Sequence, residues 1–332
     1  MMIRIGIYGA TGYTGFELIK LLQRHPQAKI VFATARSAAG QKLSDIFPTT
    51  LDLPLTSAEE VDLSTVDLVF CCLPHGVTAP TAQKALAAGV KVIDLSADFR
   101  LHNPTDYEHW YGKAHAAPEL LAKAVYGLPE IHRKSIKKAQ LIANPGCYPT
   151  GIILALHPLV QAGLLAETTV IADSKSGVSG AGRSLSLKTH FSETHENFSA
   201  YNIGHSHRHI AEMEQETGLK IIFSPHLLPV IRGILSTIYI TTKPEVDLAT
   251  LRQAYNVFAE EPFFKLLPEG KLPELRHVVE TNLCVLGIQA IADTPNRFIL
   301  VVVEDNLIKG ASGQAVQNMN LLFDLDERLG LL

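Results

Sequence analysis

With 332 residues, 47% of them hydrophobic and 19% charged, the chain has length for two domains of ordinary size and ample apolar material for packed cores. The net charge of −4 is mild and Lys and Arg are scattered, which argues against a basic nucleic-acid groove or an anionic membrane surface as partner. Four cysteines without paired metal-type or secretory spacing point to a reducing compartment and to no metal site.

A strand pattern, Ile3-Arg4-Ile5-Gly6-Ile7-Tyr8, starts almost at the initiator and leaves no room for a signal peptide. Gly9-Ala10-Thr11-Gly12-Tyr13-Thr14-Gly15 follows at once and opens a helix expected over Gly15–Arg24. The spacing G-x-x-G-x-x-G differs by one residue from the dinucleotide fingerprint, but the physics is shared. Glycines allow a tight turn and let backbone N–H groups approach a pyrophosphate at a helix start.

A second strand is expected over Lys29–Ala35. An NAD enzyme would place a carboxylate at its end, for the ribose 2′-hydroxyl. Here Arg36 and Ser37 stand instead, both able to donate to a 2′-phosphate, so NADP(H) is the expected cofactor. Leu68–Leu73 is apolar throughout, as in a parallel strand covered on both faces. A helix over Ala79–Ala88 and strands over Val90–Leu95 and Gln140–Ala143 complete a doubly wound α/β sheet of Rossmann type.

Asn144-Pro145-Gly146-Cys147-Tyr148-Pro149-Thr150-Gly151 then puts one thiol in a tight turn ahead of an apolar helical run, Ile152–Val160. Unpaired N–H groups at a helix start favour a thiolate, and the polar loop setting points to a nucleophile. Cys71 and Cys72 lie in an apolar strand and Cys284 in another; all three read as small buried hydrophobes. The apolar stretch Gly151–Ala166 carries His157-Pro158 and Gln161 and is too short to span a bilayer, so a soluble cytoplasmic protein is expected.

After Cys147 the pattern changes. Runs over Thr168–Ser174, Lys220–Pro225, Gly233–Thr242, Thr281–Ala292 and Arg297–Glu304 are β-rich. Helices are expected near Arg208–Thr217, Leu248–Ala259 and Gly313–Leu325. This predicts an α+β domain with a mainly antiparallel sheet. The domains are expected at 1–147, 148–311 and a C-terminal helix, 312–332, returning to the first. Ser174–Ser186, rich in Gly and Ser, reads as an active-site loop too polar for a core. In His205-Ser206-His207-Arg208-His209-Ile210-Ala211-Glu212, the residues His209 and Glu212 share a helix face, so the carboxylate can fix the imidazole tautomer. His207 and Arg208 supply positive charge for an anionic substrate. A zinc site built from these histidines lacks completing ligands. A nicotinamide cofactor with an activated Cys and a His defines reduction of an activated acyl group through a thioester.

Taken together, Gly9–Gly15, Ser96-Ala97-Asp98-Phe99-Arg100, Tyr126-Gly127-Leu128-Pro129-Glu130, Asn144–Gly151, Ser176–Arg183, His207-Arg208-His209 and Asp305–Ala315 closely resemble the N-acetyl-gamma-glutamyl-phosphate reductase family of arginine biosynthesis, nearly end to end. The family usually has Pro where this chain has Ala211, which implies a different start to the helix rather than different chemistry. The resemblance implies Cys147 as nucleophile and His209 as acid/base. It also implies that Ser176, Gly177, Ser179, Gly180 and Asn306 close over the nicotinamide, with Pro74 and His75 beside the cofactor. Arg100, Asn144, His207 and Arg208 are the candidates for substrate, and a homo-oligomer formed through the second domain's sheet is implied. The rivals are aspartate-semialdehyde dehydrogenase, the lysine-pathway reductase acting on a substrate one methylene longer, and a non-catalytic NADP sensor.

Overall fold

The computed structural model describes residues 2–332. The chain forms two units: one runs to Pro145 and resumes at Ala311–Leu332, and the other is Gly146–Gly310.

In the first unit, short apolar strands alternate with amphipathic helices. Strands β1 (Ile3–Tyr8), β2 (Ala28–Thr34), β3 (Leu55–Thr56), β4 (Leu68–Cys71), β5 (Lys91–Asp94), β6 (Val125–Tyr126) and β7 (Leu141–Ala143) make one sheet. Its order is β3-β2-β1-β4-β5-β7-β6, with every pair parallel. All four residues of β4 are fully buried, as an uninterrupted apolar run requires when helices cover both faces. The longer helices among them are α1 (Tyr13–Arg24), α2 (Thr78–Ala87), α3 (Pro104–Tyr111) and α4 (Pro129–Ile136). α1 buries Leu18, Ile19 and Leu22 on one face, each worth about 1.5–3 kcal/mol. Strand order reverses between β1 and β4, which opens a crevice at their C-terminal ends, where open α/β sheets bind ligands.

The second unit starts with α5 (Cys147–Gln161), an almost wholly buried helix. Strands β8 (Thr169–Gly177), β9 (Ser199–Ala200), β10 (Lys220–Leu228), β11 (Ile234–Thr241), β12 (Phe264–Leu266), β13 (Cys284–Ala290) and β14 (Arg297–Glu304) follow, with helices α6 (His209–Thr217) and α7 (Leu248–Gln253) between them. Sheet order is β12-β13-β14-β11-β8-β10-β9. Pairing is antiparallel except for β8–β10 and β12–β13. α5 lies on β11 and β14 and packs against α6, so its apolar faces all meet protein. On the other face the register lines up Ile222, Ile171, Tyr239 and Ile299 across four strands. Three of them are well exposed: Ile222 at 53%, Ile171 at 43% and Tyr239 at 41%.

One expectation is corrected here. Ser174–Gly177, read as part of a polar loop, is the end of strand β8, between β10 and β11, and Ser174 and Ser176 are buried. Their hydroxyls are matched: Ser174 Oγ bonds Ser236 Oγ at 2.6 Å, and Ser176 Oγ donates to the Gly177 carbonyl at 3.0 Å. A small polar residue whose hydroxyl finds a partner enters a core without penalty.

The last helix, α8 (Gly313–Leu322), belongs to the first unit and is buried along its whole length. Several of its polar groups find main-chain or side-chain partners. Asn318 Nδ2 donates to the Gly127 carbonyl at 2.8 Å, and Asn320 Oδ1 meets His25 Nε2 at 2.9 Å. Among the described residues, no helix is long and apolar enough to cross a membrane.

Candidate active site

At the crevice of the first unit, the β1–α1 turn needs its glycines for space. Gly9 has φ +83°, and a Cβ there would lie 2.2 Å from the Cys72 carbonyl oxygen. A Cβ on Gly15 would lie 2.3 Å from the Gly9 carbonyl oxygen. At Gly12 the nearest atom to such a Cβ is 3.7 Å away, so this side of the turn is open. Gly12 caps α1 without any side-chain bond, leaving the first amides of the helix for an anion. Thr11 and Thr14 are half-buried and Tyr13 is exposed in the same turn. Just past β2, Arg36 and Ser37 are both exposed. These residues fit a dinucleotide carrying a 2′-phosphate.

The segment after β4 forms the other wall. Pro74 and His75 are exposed there, and His75 Nδ1 accepts the Ala97 N–H at 3.1 Å. Arg100 and Asn144 come together in the interior of this unit. Arg100 Nε donates to the Asn144 carbonyl at 2.8 Å and Nη2 to that of Leu95 at 2.9 Å. Asn144 Nδ2 donates to the Ala311 carbonyl at 3.0 Å, while its Oδ1 accepts from Asn318 at 3.1 Å. With 5% and 1% exposure, the two hold the chain that leads into Pro145.

In the second unit, Cys147 is the first residue of α5, half-buried, behind an N-cap glycine with no side-chain cap. Gly146 N–H donates to Glu212 Oε2 at 2.9 Å, so a buried carboxylate from α6 fixes the residue before the thiol. Gly310 packs so closely that a Cβ there would be 2.9 Å from Cys147 Cβ. Tyr148 gathers the imidazoles: its ring centroid is 5.7 Å from His207 and 6.0 Å from His209, and the two histidines are 4.8 Å apart. His207 Nδ1 accepts the His209 N–H at 3.2 Å. Burial first, and then the charge of Arg208, push His207 down to about 4, so it is a neutral ring with its proton on Nε2. Tyr148 and Tyr201 share a hydroxyl–hydroxyl bond of 2.9 Å. Burial raises both phenols, which stay protonated beside the thiol.

The predicted residues thus fall into two groups, one in each unit. Cys147, His207, Arg208, His209 and Glu212 collect around the start of α5 and α6. Ser176, Gly177, Ser179, Gly180 and Asn306 belong to the same unit, and here the polar groups serve one another. Asn306 Nδ2 donates to Ser179 Oγ at 2.9 Å, and its Oδ1 accepts the Gly233 N–H at 2.8 Å. The Gly and Ser segment is therefore braced by Asn306. Sequence reasoning missed Tyr148, Tyr201 and Gly310. Tyr148 directly follows the thiol and could have been weighed, whereas Tyr201 and Gly310 carry no local signal. The other thiols are silent: burial pushes Cys71 well above the ordinary thiol range and Cys72 up to about 12. Among the described residues no cluster of His, Cys, Asp or Glu could hold a metal ion.

Comparison with known proteins agrees with this division. Residues 4–139 match the semialdehyde dehydrogenase NAD binding domain, and residues 147–306 match the semialdehyde dehydrogenase dimerisation domain. The N-acetyl-gamma-glutamyl-phosphate reductase of Symbiobacterium thermophilum is 50% identical, with 100% of this chain and 98% of that protein covered. Those of Pelotomaculum thermopropionicum and Pseudomonas savastanoi are each 48% identical, with 98% of each protein covered. Among solved structures, aspartate semialdehyde dehydrogenase II from Vibrio cholerae, complexed with ASA, has the same fold at TM-score 0.75 and 20% identity, covering 98% of this chain and 99% of that one. The Candida albicans aspartate semialdehyde dehydrogenase with NADP does so at TM-score 0.70 and 18% identity, covering 97% and 99%. On full-length identity, the chain belongs to the N-acetyl-gamma-glutamyl-phosphate reductase family, built on the semialdehyde dehydrogenase fold.

Proposed function

We propose that the chain reduces N-acetyl-gamma-glutamyl phosphate to N-acetylglutamate 5-semialdehyde with NADPH, releasing phosphate, as a step of arginine biosynthesis in the cytoplasm. The observation that carries this reading is Cys147 at the uncapped start of α5, followed by Tyr148, whose ring packs against the paired His207 and His209, in a chain whose full-length relatives bear that activity's name.

Cys147 Sγ attacks the γ-acyl carbon. The C–S bond forms, the C–O bond to phosphorus breaks, and phosphate leaves. NADPH, when bound, supplies the hydride that takes the thioester carbon to the aldehyde level. The C–S bond then breaks, and sulfur leaves as thiolate while the carbonyl forms. His209 carries the proton in these steps. Glu212 serves by holding the Gly146 amide, which sets the position of the thiol. Amides at the start of α5 are placed to stabilise the developing oxyanion. His207, neutral, donates through Nε2, and Arg208 attracts the substrate's negative groups. Arg100 and Asn144 act on substrate through the segment leading to Cys147.

In the first unit, Gly9, Gly12 and Gly15 admit the pyrophosphate, with Thr11, Tyr13 and Thr14 around it, and Arg36 and Ser37 donate to the 2′-phosphate. Ser176, Gly177, Ser179 and Gly180, braced by Asn306, border the nicotinamide. The outward row Ile222–Ile171–Tyr239–Ile299 supports a homo-oligomer built on this sheet, in keeping with the dimerisation domain that residues 147–306 match.

The test is phosphate-dependent reduction of NADP⁺, run with N-acetylglutamate semialdehyde and, separately, with aspartate semialdehyde. The first aldehyde is expected to turn over and the second not. Preference for aspartate semialdehyde refutes the proposal.

A further inference from the structure

Between β4 and α2 the chain passes through Leu73, Pro74, His75, Gly76 and Val77, along the β4 wall of the crevice. Gly9 packs directly against the end of β4, because a Cβ on it would meet the Cys72 carbonyl. The shape of this loop therefore shapes the mouth of the dinucleotide site.

The loop is held by one carboxylate. Asp98 is fully buried. Its Oδ1 accepts from Gly76 N–H and, at 3.2 Å, from Tyr107 Oη. Its Oδ2 accepts from Thr78 N–H at 3.0 Å and Ala79 N–H at 3.2 Å. The latter pair caps α2. The Gly76 bond is different, because it lies in the loop itself, at a residue with φ +75° that only glycine adopts readily. The neighbouring Ala97 N–H donates to His75 Nδ1 at 3.1 Å, which leaves the ring proton of this exposed histidine on Nε2. Tyr111 packs edge-on against the same ring at 5.9 Å. Segment 96–111 thus grips two successive loop residues.

We infer that Asp98 is a positioning residue for the cofactor. By holding the Gly76 amide it fixes the loop, and with it His75, at the mouth of the dinucleotide site. This rests on the NADPH reading above. An amide in place of the carboxylate discriminates this role from simple capping. In Asp98→Asn, the new NH₂ can sit where Tyr107 Oη accepts from it, while the oxygen keeps Thr78 and Ala79. Gly76 then loses its acceptor, and α2 keeps its cap.

The experiment measures the dissociation constant of NADPH by fluorescence, together with the rate of Cys147 alkylation by iodoacetamide. Asp98→Asn is expected to weaken NADPH about tenfold, the scale of one lost hydrogen-bonded contact, with the alkylation rate unchanged. Tyr107→Phe, which removes a donor to the same carboxylate without touching the loop, is expected to stay within about twofold of the parent. An Asp98→Asn affinity equal to the parent's, or a loss matched by Tyr107→Phe, overturns the inference. Should Asp98→Asn fail to fold, hydrogen exchange on the unaltered protein decides: the Gly76 amide is expected to be protected before NADPH is added. Free exchange until NADPH arrives overturns the inference. Absence of NADPH binding by the parent overturns the cofactor reading as well, a result distinct from either.

Discussion

Asp94, at the end of β5, is fully buried and hydrogen-bonded to Ser96. Its Oδ1 accepts the Ser96 N–H at 2.8 Å and its Oδ2 the Ser96 hydroxyl at 2.9 Å. Burial, then the charge of Asp98, push it up to about 7 from the ordinary 3.8, against the pull of those two bonds and of Arg100. A carboxyl raised on folding binds its proton more tightly in the native state than in the unfolded chain. Between the two values the native state therefore holds more protons, and stability falls as pH rises from about 4 to about 7. Above that window both states are ionised and the full penalty applies. A gap of about 3 pH units, at about 1.4 kcal/mol each, makes the charged form cost about 4 kcal/mol. Asp94→Asn removes the charge and keeps both bonds: its oxygen accepts the Ser96 N–H, and its NH₂ donates to a second lone pair on the hydroxyl. The variant should therefore gain on the parent by about 2 kcal/mol between pH 5 and 7, with little further gain above pH 8. Urea unfolding reads this directly, because Trp110, the single tryptophan, lies in the last turn of α3 in the same unit. A stability difference that stays flat from pH 5 to 8 would refute the account of a penalised buried charge.

Other outcomes follow from the same geometry. Cys147→Ala should abolish phosphate-dependent turnover and leave NADPH affinity intact, measured by fluorescence titration; appreciable residual turnover removes the nucleophile. Arg36→Ala should weaken NADPH by about tenfold or more and leave NADH unaffected, in a comparison of KM values. Glu212→Ala strips the acceptor from a buried amide at Gly146 and should lower stability by about 1–3 kcal/mol, read by urea unfolding, with a loss of kcat larger than any change in KM. His207, lowered on folding to about 4, binds fewer protons in the native state than in the unfolded chain between that value and 6.5. It should make the protein lose stability as pH falls through this window, and His207→Asn, which keeps an acceptor for the His209 N–H, should flatten that acid limb.

Much of this was readable in the sequence because the signals were local. A strand, a glycine turn and a helix in succession suffice for the nucleotide end, since Gly9 answers to the adjacent strand and Gly15 to a contact within a few residues. Cys147 was legible for the same reason, with Pro145 and Gly146 breaking the chain just before it. What stayed hidden depends on partners far apart in the chain. Ser174 and Ser176 read as loop because a Gly- and Ser-rich run looks too polar for a core, and only the partner Ser236, 62 positions on, makes Ser174 a core residue. Helical spacing pairs Glu212 with His209 in the sequence, but its bond to Gly146 crosses 66 positions and leaves no local trace. Two-residue strands such as β3 and β6 are too short for any alternation to register. α3 did announce itself through Asn103 and Pro104, a cap and an N1 proline, and was overlooked.

α8 carries a consequence for how the chain matures. Ala315, Val316, Met319, Leu321 and Leu322 complete an apolar cluster whose other buried members, among them Ile5, Leu18, Phe70 and Ile142, come from the part of the unit that ends at Pro145. A ribosome must therefore deliver the intervening 165 or so residues before that first core can close. Until then the amino-terminal sheet waits with part of one side uncovered, a nascent hydrophobic surface of the kind chaperones hold. Release of the final helix from the exit tunnel is the event that seals it.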